Sequence, residues 1–307
     1  MSGPVQQPDI ECEDELLAGI EAREGRQAHV GGMTVSRVLP TKGRRTVGAW
    51  CFVDLMGPAD AHEQDPMEVG PHPHIGLSTV TWLLEGEALH SDSLGTQQVI
   101  RPGQLNLMTA GNGIAHAELA AEPPFRGVQM WLAQPEATRH GEARFDHVAE
   151  VPRHDLHHGE ALVFAGHLGG TSSMVATDTE IVGADVTLNR SSVRIPADPR
   201  FEYAVAPLDH RVKVGPEVVE PGWLALVPAG IEALPVEASV DGTRFLVLGG
   251  VPLGEKVAMW WNFVARDRDE ITRAWRDWQE RTDRFGEVPS ELERIEAPRP
   301  PWLGAED

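Results

Sequence analysis

Two short clusters of histidine and carboxylate residues are the parts of this chain whose types and spacing could do chemistry. His72 and His74 are separated by one proline, His116 and Glu118 are separated by one alanine, and a glycine turn precedes each pair. In an extended chain, residues i and i+2 point to the same side of a strand. If the two strands are neighbours, three imidazoles and one carboxylate converge. This ligand set suits a divalent transition metal, whereas Ca²⁺ and Mg²⁺ prefer oxygen ligands.

The metals that accept such ligands are Fe(II), Mn, Ni, Cu and Zn. On a metal that favours six ligands, four protein ligands leave two positions for water, dioxygen or a substrate. His90 lies between the clusters with Ser91 and Asp92. It either hydrogen-bonds to a metal ligand from behind or lies in an exposed turn. Without a metal, the same clusters would be two polar rims at the mouth of a barrel.

The elements that must position these residues are short strands. From residue 30 onward, apolar or alternating runs such as 50–53 and 78–84 are separated by Gly, Pro, Asp or Asn, which predicts an all-β sandwich or barrel. This pattern stops over residues 136–158 and then starts again, which predicts two β units. The runs 102–111 and 221–230 share a Pro-Gly turn, an alternating strand and an Ala-Gly pair, as a duplicated barrel would produce.

The end of the chain is predicted to be helical. Trp275 and Trp278 fall on one helical face, Asp267 or Asp269 can cap the start, and Gly286 can end the helix. The resulting division is a polar N-terminal lead at 1–28 with a short acidic helix within 11–25, a metal-binding first barrel at 29–135, a junction at 136–158, a second barrel without a metal site at 159–265, and a C-terminal helix and tail at 266–307.

Composition excludes several classes of function. The 307 residues include 26 Lys and Arg against 47 Asp and Glu, a net charge of -21, which disfavours direct nucleic-acid or membrane-surface binding. No apolar run is long enough to span a bilayer, and residues 1–27 lack the features of a secretory signal. The two cysteines, Cys12 and Cys51, fit a reducing compartment. We therefore expect a cytoplasmic protein, and a monomer because one chain supplies both barrels.

At the two clusters the sequence resembles the pirin family of the cupin superfamily. The resemblance covers most of the chain and is strongest over residues 35–132, where the motifs are His-Pro-His at 72–74, Thr-Val-Thr-Trp-Leu-Leu-Glu-Gly at 79–86, His-Ser-Asp-Ser at 90–93, and Met-Thr-Ala-Gly-Asn-Gly-Ile-Ala-His-Ala-Glu at 108–118. It implies a bicupin, that is, two jelly-roll-like β-barrels in tandem with a C-terminal helix. It also implies a metal, usually iron, held in the first barrel by His72, His74, His116 and Glu118.

The resemblance implies an oxidoreductase of the quercetin 2,3-dioxygenase kind, in which Fe(II) binds a flavonol and dioxygen opens its heterocycle with loss of carbon monoxide. Glu118 would accept the hydroxyl proton as general base as well as bind the metal. Apolar residues of the barrel either face the substrate rings or only pack in the core, and they are Trp82, Leu105, Leu107 and Met108.

Two alternatives stay open. Pirins also resemble redox-sensing regulators, in which the oxidation state of iron changes a surface and so a protein partner, without turnover. A barrel that holds a metal for stability alone is the third reading. Ile75 and Ser78 stand where the family commonly has Arg and Glu, which removes two charges beside the metal and marks a divergent member.

Overall fold

The computed structural model describes residues 15–57, 67–120 and 124–304. Within these residues the secondary structure is mostly β, and a helix at Arg268–Gln279 follows the last strand. The prediction of an all-β fold with a C-terminal helix is confirmed. In chain order the strands are β1 (Glu21–Glu24), β2 (Arg26–Val30), β3 (Met33–Leu39), β4 (Trp50–Met56), β5 (Met67–His74), β6 (Leu77–Glu85), β7 (Ala88–Asp92), β8 (Gln97–Ile100), β9 (Leu105–Thr109), β10 (Ile114–Ala120), β11 (Arg126–Ala133), β12 (Arg144–Val148), β13 (Arg153–Asp155), β14 (Gly159–Leu168), β15 (Thr171–Ser172), β16 (Ile181–Leu188), β17 (Ser191–Pro196), β18 (Glu202–Pro207), β19 (Val212–Val214), β20 (Glu217–Val219), β21 (Trp223–Val227), β22 (Ala233–Ala238), β23 (Thr243–Gly250), β24 (Ala258–Trp260) and β25 (Phe263–Ala265).

Each half of the chain forms one large and one small antiparallel sheet. In the first half, a seven-stranded sheet (β12-β9-β6-β11-β4-β3-β2) accompanies a four-stranded sheet (β5-β10-β7-β8). In the second half, an eight-stranded sheet (β1-β21-β18-β23-β16-β14-β13, with β15 beside β14) accompanies a four-stranded sheet (β17-β22-β19-β20). The strands β9 and β21, which follow the two Pro-Gly turns, occupy equivalent positions next to the edges of the large sheets. The strand order therefore agrees with a duplicated barrel.

Residues 21–28 have no buried side chain, as expected for a solvated segment, but they form strands of the two barrels, so the predicted helix is wrong over 21–24. The strand Glu21–Glu24 pairs with β21 of the second barrel, whereas Arg26–Val30 pairs with β3 of the first. Between them, the amide of Gly25 donates to the carbonyl of Gly222 at 2.9 Å. The polar side chains misled the prediction because backbone hydrogen bonds, not apolar burial, hold an edge strand. Residues 15–18 are helical, and 11–14 lie outside the described residues.

The segment 136–158 also contributes strands. Arg144–Val148 adds an edge to the large sheet of the first barrel, and Arg153–Asp155 does the same in the second. Both strands are short and polar, so their sequence does not distinguish them from a loop.

The main apolar core between the two halves lies where their large sheets pack face to face. Trp50 and Trp82 of the first barrel both contact Phe164 of the second, at ring-centroid distances of 6.3 and 5.0 Å. The indole N–H of Trp50 donates to the carbonyl of Val182 at 3.0 Å, so even the polar end of this side chain is satisfied across the interface. A Cβ at Gly183 would lie within 2.9 Å of the Trp50 and Phe164 rings, which explains the glycine there.

The interiors of the two barrels differ in chemistry. The second is filled with apolar side chains, among them Val163, Val186 and Phe245. The large sheet of the first barrel presents a row of polar residues, each opposite the next on neighbouring strands. In order, the row is Arg37, Asp54, Gln129, Thr81, Asn106 and His147. The first barrel therefore has a cavity and polar side chains in its interior, whereas the interior of the second is filled with apolar side chains.

The C-terminal helix begins as predicted but ends earlier. Asp267 caps it by accepting a hydrogen bond from the amide of Glu270 at 2.8 Å. It ends at Gln279 instead of reaching Gly286, because Arg281 takes up a left-handed conformation with φ of 54°. Within the described part of the chain, no helix has both the length and the apolar character needed to cross a membrane.

The buried carboxylate of Asp185 joins the two barrels and can be tested. It accepts hydrogen bonds from Trp82 Nε1 at 2.7 Å and from Arg244 Nε at 2.9 Å. We expect Asp185→Ala to lower the free energy of unfolding by about 3 kcal/mol, because an indole N–H and a guanidinium lose their buried partner. Urea denaturation measures this change. The exposed strand residue Glu237 provides the control, since Glu237→Ala should change stability by less than about 0.5 kcal/mol. Equal effects of the two substitutions would contradict this role for Asp185.

Candidate metal centre

The two clusters predicted from sequence lie on neighbouring strands. Strands β5 and β10 pair antiparallel, and His116 stands directly opposite His72. The register shifts between His116 and Glu118, so that Glu118 faces Val69 on one side and His90 of β7 on the other. A bulge of this kind re-aims a side chain without breaking the sheet. Both clusters are buried inside the first barrel.

The three histidines form a compact group. Their ring centroids are 5.0 Å apart for His72 and His74, 4.4 Å for His72 and His116, and 5.0 Å for His74 and His116. His72 Nδ1 lies 2.9 Å from the carbonyl of Gly70, and His74 Nδ1 lies 2.9 Å from the carbonyl of Asn262. Since only an N–H can donate to a carbonyl, the proton of each neutral ring is on Nδ1 and the lone pair is on Nε2.

His116 is oriented by a chain of buried groups behind it. His90 Nε2 lies 3.0 Å from Oδ2 of Asp92, and His90 Nδ1 lies 3.4 Å from Nδ1 of His116. If His90 donates to the carboxylate, its other nitrogen accepts from His116, and the lone pair of His116 is again on Nε2. His90 is buried and stacks on Phe145 at 4.6 Å. The exposed-turn alternative for His90 is therefore wrong.

This arrangement of lone pairs fits a cation. Nε2 of His74 and Nε2 of His116 are 3.0 Å apart, and two acceptors at this distance repel unless a positive centre lies between them. Burial lowers the pKa of His72 to about 4 and holds the pKa values of His74 and His116 well below the ordinary value. At pH 7 all three rings are therefore neutral, which is the state in which imidazole binds a metal.

Glu118 belongs to a second group that shares His116. Its carboxylate and the rings of His90 and His116 have potential ligand atoms within 4.8 Å of one another, and the same holds for the three-histidine group. The hydroxyl of Thr81 donates to Oε1 of Glu118 at 3.1 Å and lies 3.0 Å from the side-chain amide of Gln129. Burial raises the pKa of Glu118 above its ordinary value. Among the described residues, both groups that could hold a metal lie in the first barrel.

A cavity of about 390 Å³ opens beside the histidines, a size typical of small-molecule sites. Its aromatic wall is Phe52 stacked on Trp131 at 4.0 Å, and the Trp131 ring is 5.3 Å from that of His74. Its polar wall is Asp54, which is held by two hydrogen bonds of 2.7 Å from Arg37. Sequence reasoning missed these four residues, although their strands were visible.

Core packing, one of the two alternatives for the apolar residues that could have faced a substrate, is confirmed. Met108 packs against Ala110 and Ile114 outside the cavity lining. The others, Trp82, Leu105 and Leu107, point to the opposite face of the large sheet and pack against the second barrel. The pattern of alternation identified the strands but not which face is inside.

The C-terminal hairpin completes the cavity. Its turn places Trp261 in a left-handed conformation with φ of 51°, and this aims the carbonyl of the next residue, Asn262, at His74. A non-glycine residue rarely adopts this conformation, so the packing of the hairpin must hold Trp261 in it. Ile75, at the position where the family commonly has arginine, is buried against Phe263 of the same hairpin. Ser78 donates to Oγ1 of Thr109 at 3.0 Å, on the face directed away from the histidines.

Comparisons with known proteins agree with this architecture. The pirin family model matches residues 32–132, and the model of the pirin C-terminal cupin domain matches residues 183–286. The first match contains both ligand clusters, and the second covers most of the barrel that lacks them.

Individual relatives extend the match to nearly the whole chain. A Pseudomonas aeruginosa protein named "Putative quercetin 2,3-dioxygenase" is 42% identical over 95% of this chain and 93% of its own length. A pirin-like protein of Caulobacter vibrioides is 36% identical over 83% and 91%. A crystal structure of quercetin 2,3-dioxygenase from Acinetobacter baumannii matches with a TM-score of 0.87 and 37% identity, covering 93% of this chain and 97% of that one. With its two cupin barrels and its buried histidine cluster, this chain belongs to the pirin family.

Proposed function

We propose that this protein is an Fe(II)-dependent dioxygenase that opens the heterocycle of a flavonol-like substrate, as a quercetin 2,3-dioxygenase does. The observation that carries the proposal is a group of three buried histidines, whose potential ligand atoms lie within 4.8 Å of one another, beside an aromatic-walled cavity. The names of the Pseudomonas and Acinetobacter relatives support the reaction class. Iron is the metal that the family resemblance implies, and the ligand set also accepts other divalent transition metals.

The residues have separate tasks in this proposal. His72, His74, His116 and Glu118 hold the metal, which when bound acts as a Lewis acid and lowers the pKa of a coordinated hydroxyl. In this proposal the carboxylate of Glu118 also accepts the hydroxyl proton as general base. Thr81 holds one oxygen of Glu118, which leaves the other free to face the cavity.

The aromatic wall supplies binding and orientation. Phe52 and Trp131 stack on each other at an interplanar angle of 14° and form an apolar wall next to His74. An aromatic substrate in the cavity packs against this wall with its oxygen directed at the histidines. Burial between the barrel walls also excludes bulk water from the reacting oxygen, which strengthens the electrostatic effect of the ligands.

The ligand assignment predicts the metal content of the purified protein. We expect about one iron per chain after anaerobic reconstitution, and a loss of more than about tenfold in bound iron for His116→Ala, because this residue belongs to both ligand groups. The exposed His210 is the matched control, and His210→Ala should bind iron like the wild type. Elemental analysis measures both. Equal iron in the two variants would contradict the assignment.

The chain Asp92–His90–His116 predicts a positioning effect. Replacing Asp92 by asparagine keeps its shape but offers an N–H to His90, which reverses the donor and acceptor roles along the chain. We expect Asp92→Asn to weaken metal binding by about 10- to 100-fold, as measured by chelator competition. Asp146→Asn, in the half-exposed strand β12, should leave the affinity unchanged. An unaltered metal affinity in Asp92→Asn would contradict the orienting role of the Asp92–His90–His116 contacts.

Oxygen uptake with quercetin tests the reaction itself. The iron-loaded protein should consume dioxygen and release carbon monoxide when quercetin is added. Glu118→Gln should lower kcat by about 10²- to 10⁴-fold, the range expected for loss of a general base. The exposed Glu68 of β5 is the control, since Glu68→Gln should retain full activity.

Stoichiometric iron without oxygen uptake would overturn the dioxygenase. The same site would then favour the alternative of a regulator whose iron oxidation state controls a protein partner. We place either activity in the cytoplasm, because the sparing use of cysteine fits a reducing compartment.

A further inference from the structure

A second opening lies beside the metal cavity and has a different electrostatic character. This cleft, of about 970 Å³, is lined by Glu24, Arg26, Arg37, Pro40, Thr41, Lys42, Gly43, Arg45 and Met259. Four of these side chains are cationic and one is anionic, on a chain whose net charge is -21. Such a local concentration of positive charge is unusual on a surface with nearly twice as many acids as bases. We call it the basic cleft.

Three of the four cationic side chains that line the basic cleft have no ion-pair partner among the described residues. Arg26 and Arg37 stand directly opposite each other on β2 and β3, and like charges in that position destabilise a sheet. Arg37 is paired with Asp54, but among the described residues no carboxylate forms an ion pair with Arg26, Lys42 or Arg45.

Neighbouring arginines outside the lining differ in this respect. Arg23 pairs with Glu21 at 2.5 Å, and Arg44 pairs with Glu202 at 2.8 Å. The two arginines next to the cleft are thus paired, whereas three of the four cations that line it are not, within the part of the chain that the structure describes. Arg45 makes one weak hydrogen bond, from Nη1 to the carbonyl of Val257 at 3.4 Å.

The basic cleft and the metal cavity meet at Arg37, which lines both. The guanidinium carbon of Arg37 lies 4.4 Å above the Phe52 ring, Phe52 stacks on Trp131, and Trp131 borders His74. Arg37, Phe52 and Trp131 therefore form one continuous series of contacts between the cations and the histidines. An aromatic molecule that binds in the metal cavity and extends past Arg37 would place its far end in the basic cleft.

We propose that the basic cleft binds an anionic substituent, a carboxylate, sulfate or phosphate, on the far end of the aromatic substrate. The inference rests on the proposed function for the identity of the aromatic part. It names a narrower substrate class than a neutral flavonol, namely planar aromatics with an added negative charge. On a chain this acidic, the cleft is also where an anion finds a favourable local potential near the cavity.

The test compares two flavonols that differ in charge. Calorimetric titration under argon, so that no turnover occurs, measures the affinity of the iron-loaded protein for quercetin and for quercetin 5′-sulfonate. We expect the sulfonate to bind about tenfold more tightly in dilute buffer, because several exposed ion pairs of modest strength act together. This preference should fall severalfold at about 0.5 M salt, where the Debye length is only a few ångströms.

The decisive variant carries R26Q, K42Q and R45Q together. It should bind quercetin as the wild type does and bind the sulfonate no better than quercetin. The control carries R190Q, R211Q and K213Q, which change the net charge equally on the second barrel and should keep the preference. Iron content and circular dichroism of both variants establish that they fold.

Two results would overturn the inference: equal affinity of the wild type for both flavonols, or a preference that survives in the R26Q/K42Q/R45Q variant. Failure of the proposed function is distinguishable, because binding is measured without oxygen. Absent turnover with an intact charge preference overturns only the dioxygenase. Failure of both flavonols to bind overturns the inference together with the flavonol-like substrate.

Discussion

The packing of the two large sheets on each other is the constraint on which the rest of the structure depends. Trp50, Trp82 and Phe164 fill the space between them, and the indole N–H groups are satisfied by the opposite barrel. Because this face supplies much of the apolar core, the interior of the first barrel accommodates a row of polar groups beside a smaller apolar cluster. The second barrel has an apolar interior. One copy of the fold therefore contributes mainly to stability, and the other carries the candidate metal site.

The metal centre in turn depends on parts of the chain that are distant in sequence. Strands β5 and β10 supply the candidate ligands, β7 supplies the His90–Asp92 pair behind His116, and the C-terminal hairpin supplies the carbonyl of Asn262 behind His74. Each of these partners fixes which nitrogen of a histidine carries the proton. Distant parts of the fold thus orient His74 and His116, whereas His72 is oriented by Gly70 of its own strand.

Much of this arrangement could be predicted from the sequence. The alternation of His72 with His74 and of His116 with Glu118 shows that each pair shares a strand face, and a family resemblance supplies the pairing of the strands. The sequence does not indicate which face of the large sheet lines the cavity. Both faces are buried, and the more polar face is the one inside the barrel, which is the reverse of the usual pattern. From the sequence, Trp82 could therefore either face a substrate or pack in the core, and the structure places it in the core. The strand at 21–24 was missed because a backbone edge has no side-chain signature.

Alternate residues of strand β6 serve different purposes, and this has a consequence for how such proteins can change. Thr79 and Thr81 belong to the inner face of the sheet, whereas Val80 and Trp82 belong to the face packed on the second barrel. Substitution of an inner residue changes the lining of the cavity and leaves the interface between the barrels intact, whereas substitution of an outer residue disturbs that interface. The same skeleton can therefore carry cavities with different linings.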